Sequence, residues 1–173
     1  MSRDAQGMGA PSIALPSRFL VVTMGGRLFA LDASAVQGLV TLDEAEPPDA
    51  PRVHGVVYSA VDLTERLVLG NEINDTNVRL VLMSEGDVRK SVRVTRVHGL
   101  MELQPSQVLP LPPQFTGLER HWYRGLILFQ NSVVPVLNTQ WMLEDMANIP
   151  SDGHRGGTSL VNPEYPVSKG GTC

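Results

Sequence analysis

Residues 18–42 slide by 61 positions onto residues 79–103 without a gap, and six identities coincide. Arg18 meets Arg79, Gly25 meets Gly86, Val36 meets Val97, Gly38 meets Gly99, Leu39 meets Leu100 and Leu42 meets Leu103. Average residue usage would give about one or two over such a stretch. Apolar runs coincide too, with Phe19-Leu20-Val21-Val22 over Leu80-Val81-Leu82-Met83. Repetition at a fixed spacing marks a duplicated supersecondary unit, so the chain reads as two copies of one small module. A module of about 60 residues buries only about 60% of its unfolded surface and is marginal alone. Two copies packed together supply the missing burial.

The likeness resumes beyond a gap. His54-Gly55-Val56-Val57-Tyr58 resembles Arg124-Gly125-Leu126-Ile127-Leu128, and Val61-Asp62-Leu63 resembles Val136-Leu137-Asn138. Gly55 to Asp62 is seven steps and Gly125 to Asn138 is thirteen, so the first copy reads as six residues shorter, with a hairpin trimmed. Six is even, which keeps inward-facing residues inward along a strand of period two.

Strand signals fill the body of the chain. Phe19–Val22 and Leu28–Leu31 flank a Gly25-Gly26 turn, Val78–Met83 runs into Ser84-Glu85-Gly86-Asp87, and Leu126–Phe129 pairs across Gln130-Asn131-Ser132 with Val133–Leu137. Pro135 must then take an edge or a non-donating position. Asp62 is placed to cap a helix over Leu63–Leu69, and Asn138 one over Thr139–Met146. The expected fold is mainly β: two pseudo-symmetric five-stranded β-barrels packed together, with short helices. The first barrel spans about 28–77 and the second about 78–138, with Arg18–Val22 and the C-terminal helix closing a unit over 17–149. Residues 1–16 and 150–173 are polar, small and Pro- or Gly-punctuated, and read as flexible.

Composition excludes several classes. A net charge of −4 argues against a nucleic-acid binder, whose domain should be basic. No apolar run approaches the ~18 residues of a bilayer span, and the N-terminus lacks a basic start followed by an apolar core. The single cysteine, Cys173, removes a disulfide framework and a thiolate metal cluster. A cytoplasmic location is the expectation.

No constellation for chemistry emerges. His54, His98, His121 and His154 form no pair at metal-ligand spacing, no Gly-x-Ser-x-Gly elbow occurs, and no Lys-Ser/Thr follows Gly25-Gly26. Neither metal nor cofactor is expected. The basic stretch Arg89, Lys90, Arg93, Arg96 and His98 alternates with Val92 and Val94, as a solvated strand face would. Arg93 and Arg96 are candidates to dock an acidic partner. Val56, Val57 and Tyr58 are consecutive apolar residues beside the trimmed hairpin, and an uncovered strand there must meet a partner. Trp122, Tyr123 and Trp141 could anchor an interface, although Trp141 on a short helix suits packing onto the second barrel.

In order, Phe19–Val22, Gly25–Leu31, Val36–Val40, His54–Val57, Val61–Leu63, Arg79–Met83, Val97–Leu100, Val108–Pro113, Tyr123–Leu126 and Val133–Asn138 resemble the CheW-like domain, the adaptor fold of bacterial chemotaxis, over about 17–146. The resemblance implies two five-stranded barrels about a pseudo-twofold axis, and an adaptor with no catalysis. It implies as partners the regulatory domain of a CheA-type histidine kinase and the cytoplasmic tip of a methyl-accepting chemoreceptor, with no membrane insertion of its own. Val36 and Leu39 match the receptor-facing segment, with packing into the core as the competing reading. The family's Asn-x-Arg-Gly segment and following apolar run ending Pro-Val find no counterpart after Tyr58, and Gly38 stands where an acidic residue is common. An adaptor that has lost receptor coupling, or a small barrel binding nucleic acid or a small ligand, are the alternative readings.

Overall fold

A computed structural model describes residues 17–45, 47, 49–70 and 77–144. The segments 1–16 and 150–173, with His154 and Cys173, lie outside the described residues.

The first copy opens with a hairpin, β1 (Ser17–Met24) and β2 (Arg27–Asp32), turned by Gly25 and Gly26 at φ +53° and +73°. A short 3-10 turn, Ala33–Ala35, leads to β3 (Val36–Thr41). Next come β4 (Arg52–Val53), β5 (Val56–Val57), β6 (Ser59–Val61) and helix α1 (Leu63–Arg66). The second copy repeats the hairpin as β7 (Arg79–Glu85) and β8 (Val88–Val94), then β9 (Arg96–Leu103). After helix α2 (Glu119–Trp122), β10 (Tyr123–Phe129), β11 (Ser132–Leu137) and helix α3 (Thr139–Leu143) complete it. The Asp62 carboxylate caps α1 by accepting from the Glu65 amide at 2.9 Å. Asn138 precedes α3 without such a bond, and its amide nitrogen donates instead to the His121 carbonyl at 3.0 Å.

Both barrels of the expected architecture are present, but each sheet draws strands from both halves of the sequence. One sheet runs β10-β11-β2-β1-β9, and reciprocal Leu109–Leu126 backbone bonds of 2.8 and 2.9 Å draw the segment after β9 onto β10. The other runs β3-β7-β8-β6. Each copy thus lends its third strand to the other copy's hairpin: β9 pairs with β1 as β3 pairs with β7. The sequential bounds 28–77 and 78–138 therefore do not separate the two sheets. An edge strand that crosses over buries backbone polar groups neither half could satisfy alone.

The pseudo-dyad holds to the residue. Val22 pairs with Val97 and Val21 with Gly99, which leaves His98 bulged; Met83 pairs with Val36 and Leu82 with Gly38, which leaves Gln37 bulged. Residues 37 and 98 are 61 apart.

The trimmed hairpin needs correcting. β4 and β5 pair Arg52↔Val57 and Val53↔Val56 across a tight turn at His54 and Gly55, with φ +49° and +81°. The same antiparallel register continues in bonds from the Tyr58 amide to the Pro51 carbonyl (3.0 Å) and from the Ala60 amide to the Asp49 carbonyl (2.9 Å). In the second copy the β10–β11 hairpin turns at Gln130 and Asn131, with φ +47° and +63°. His54-Gly55 is therefore the counterpart of Gln130-Asn131, and its likeness to Arg124-Gly125 is local coincidence. Parallel pairing agrees: Ala60 lies opposite Ser91 in β8, and Val136 opposite Ala30 in β2. Ala60, not Val61, corresponds to Val136, and Asp62 corresponds to Asn138. The first hairpin is shortened in its outer strand, where β4 has two residues against seven in β10, but it is not missing.

Between the sheets lies the main core, including Leu20, Val22, Phe29, Leu31, Leu63, Val81, Met83, Val92, Leu137 and Met142. A second cluster of Phe19, Val21, Ala30, Leu103, Ile127, Val134 and Val136 fills the interior of the barrel built on β1. No helix among the described residues is long and apolar enough to cross a membrane.

Candidate docking surfaces

Strands β3 and β9 are the dyad-related edges of the two sheets, and each bulge re-aims the residues after it. Val36 and Leu39 pair with Met83 and Val81; Val97 and Leu100 pair with Val22 and Leu20. All four partners belong to the inter-sheet core, so these side chains emerge on the face the sheets share. Val36 and Val97 are half-buried against the core, whereas Leu39 and Leu100 are 45% and 64% exposed. Two exposed leucines thus stand at equivalent positions on the two edge strands, beside the inter-sheet core. Leu100 was legible from the repeat, because it aligns with Leu39.

The other sequence candidates separate. On the hairpin before β6, Val56 is half-buried and Val57 is 46% exposed, while Tyr58 is buried at 8%. Tyr58 matches Val134 of the filled barrel interior, and is set aside as a partner contact. Arg93 and Arg96 are exposed, but Lys90 between them and Arg89 is buried, so the basic stretch is not one solvated face. Sequence reasoning overlooked the exposed cross-strand pair Leu128–Val133 on the β10–β11 hairpin. Its counterparts under the corrected register are Arg52 and Val57, so the dyad places an apolar pair on one hairpin and a mixed pair on the other.

The remaining polar candidates are structural. His98 Nε2 lies 2.8 Å from Thr23 Oγ1, and its ring meets Phe129 edge-on at 5.6 Å, which fixes the bulge. His54 occupies a hairpin tip, and the His121 carbonyl is engaged by Asn138. Trp122 and Trp141 stack at 5.6 Å, and Tyr123 meets Phe115 edge-on. Burial raises the Tyr123 phenol above its ordinary value, with Glu119 adding to the effect. Among the described residues no group of three or more His, Cys, Asp or Glu is placed to hold a metal ion.

What these surfaces can do is grip: exposed aliphatic residues on rigid strand edges, rimmed by charge, are the elements of a protein–protein contact. The family model of the CheW-like domain matches residues 18–147, and the chain belongs to that family. Its members are scaffold proteins of chemotaxis signalling, not enzymes. The structure is similar to that of the scaffolding protein TtCheW from Thermoanaerobacter tengcongensis, with a TM-score of 0.62 at 16% identity, over 80% of this chain and 94% of that one. A comparison with curated proteins gives no match.

Proposed function

We propose that the protein couples a chemoreceptor tip to the regulatory domain of a CheA-type histidine kinase by binding both through its barrel surfaces, in the cytoplasm. The observation that carries this reading is the exposure of Leu39 and Leu100 at dyad-related positions beside a closed core, where a soluble domain gains nothing from aliphatic side chains in water. The β3 edge, with half-buried Val36 and exposed Leu39, suits a helical receptor hairpin. The face of the β4–β5 hairpin, with Val56 and Val57, and the cations Arg93 and Arg96 suit the kinase domain, whose encounter the charges would steer. Titration of the cognate kinase regulatory domain into the folded protein tests the reading. Saturable binding that Val57→Asp weakens supports it; no binding at ~100 μM contradicts it, because such interfaces are transient but measurable.

A further inference from the structure

The two halves of the sequence interlock, yet a single passage of chain joins them. Strands of the first half take partners from the second in the pairs β1–β9, β3–β7, β2–β11 and β6–β8. Arg66 of α1 likewise donates to the Trp141 and Met142 carbonyls of α3. Only the stretch between α1, which ends at Arg66, and β7, which starts at Arg79, connects one half to the other. None of the pairings requires both halves to belong to one chain.

That passage leaves α1 through a strained residue. The Val68 amide donates to the Glu65 carbonyl at 3.1 Å and the Leu69 amide to the Thr64 carbonyl at 2.8 Å, a Schellman turn that holds Val68 at φ +53°. Glycine is the usual residue there, and a β-branched one is an outlier. The other non-glycine residues at positive φ among those described, His54, Gln130 and Asn131, occupy hairpin tips and are not β-branched. Val68 is 86% exposed, so burial of its side chain does not offset the strain. The second half shows the relaxed alternative. Asp62 and Asn138 precede α1 and α3 and lie 76 positions apart, so Val68 corresponds to Glu144. Glu144 leaves α3 in extended backbone, at φ −65° and ψ 135°. The left-handed turn instead lays Leu69 and Gly70 against the β1–β2 turn, where a Cβ on Gly25 would lie 2.4 Å from Leu69 Cβ.

We propose that the protein exchanges halves with a second copy of itself, the first half of each chain pairing with the second half of the other, hinged at Val68. Every contact between halves is remade across the two chains, and Val68 relaxes to the extended backbone that Glu144 adopts. The strain is released twice per dimer, once at each hinge. The product holds two complete units, each with its own exposed Leu39 and Leu100, and is bivalent for whatever those edges bind. Such a dimer is independent of the adaptor reading.

The test is to refold the full chain from denaturant at ~1 mM and at ~1 μM and to separate the products by size-exclusion chromatography with light scattering. Dimer is expected from the concentrated sample and monomer from the dilute one. Isolated dimer should persist for hours after dilution, because the halves must separate before they can re-pair. In dimer refolded from mixed labelled and unlabelled chains, isotope-filtered NOEs should join Val22 of one chain to Val97 of the other, its partner in the β1–β9 ladder. Val68→Gly removes the strain at both hinges and should lower the dimerisation constant about 30-fold. Gly25→Ala, which crowds the closed position of Leu69, should raise it. Monomer alone at both concentrations, a dimer that dissociates at once on dilution, or a constant unchanged by Val68→Gly overturns the proposal.

Discussion

The Arg66 guanidinium lies 4.2 Å above the ring of Trp141, while its Nη2 donates to the Trp141 carbonyl at 2.9 Å and its Nη1 to the Met142 carbonyl at 3.0 Å. One side chain from the first half of the sequence thus closes the last turn of α3, in the second half. It satisfies carbonyls a short helix leaves open and adds a cation–π contact to the Trp122–Trp141 stack. Burial lowers the Arg66 pKa, and its Nε has no partner, so its position is held by these three contacts.

Replacing Arg66 with Met keeps the stem and removes the fork. Chemical denaturation should show a loss of about 1–3 kcal/mol, and Arg66→Lys should recover less than half of it, since an ammonium cannot match the planar fork. Full recovery by Lys would show that charge alone matters.

The two hairpin glycines that align in the repeat should respond differently. A Cβ on Gly25 would lie 2.4 Å from Leu69 Cβ and 2.9 Å from the Gly70 carbonyl, whereas one on Gly86 would meet nothing within 4 Å. Both have positive φ, +53° and +58°. Gly86→Ala should cost about 1 kcal/mol for the left-handed backbone. Gly25→Ala adds a steric clash and should cost about 3 kcal/mol or more. Equal losses in thermal melts would place Leu69 elsewhere.

Tyr123 supplies a pH signature. Burial raises its folded-state pKa above the ordinary 10.0, so its neutral phenol contributes stability that is complete below pH 10.0 and is lost as pH rises through the elevated folded value. Denaturation midpoints should decline above pH 10, and Tyr123→Phe should flatten that decline. A decline unchanged in the Phe variant would assign it to other groups.

Because β3 and β9 cross between sheets, neither half should fold by itself. Fragments 17–77 and 78–144 should each lack dispersed NMR signals, and mixing them should restore a folded complex. A folded single fragment would contradict the exchanged pairing.

The sequence made the duplication legible because the β1–β3 and β7–β9 segments kept their length, so glycines and apolar runs stayed in phase. It left strand exchange hidden, since a repeat reports what a strand is and not which copy it pairs with. The register of the hairpin before β6 is hidden for a related reason. His54-Gly55-Val56 looks like Arg124-Gly125-Leu126 by residue type, but positive φ at the tip, which Asn and Gly both accommodate, is the feature that fixes equivalence. Of Val56, Val57 and Tyr58, three apolar residues in a row that cannot all be core, it is Val57 that turns outward. The exposed leucines are half legible: the repeat aligns Leu100 with Leu39, while their exposure depends on the edge positions of β9 and β3.

On the proposed function, the exposed leucines beside the inter-sheet core dock a receptor hairpin. The direct measurement is a methyl NMR titration of the full chain with a cognate chemoreceptor tip fragment, alone and with Leu39→Asp. Shifts confined to Val36, Leu39, Val97 and Leu100 and their neighbours are expected, with affinity reduced at least about tenfold by the substitution and the Tm unchanged. Binding that ignores Leu39→Asp, or shifts elsewhere on the barrels alone, would contradict it.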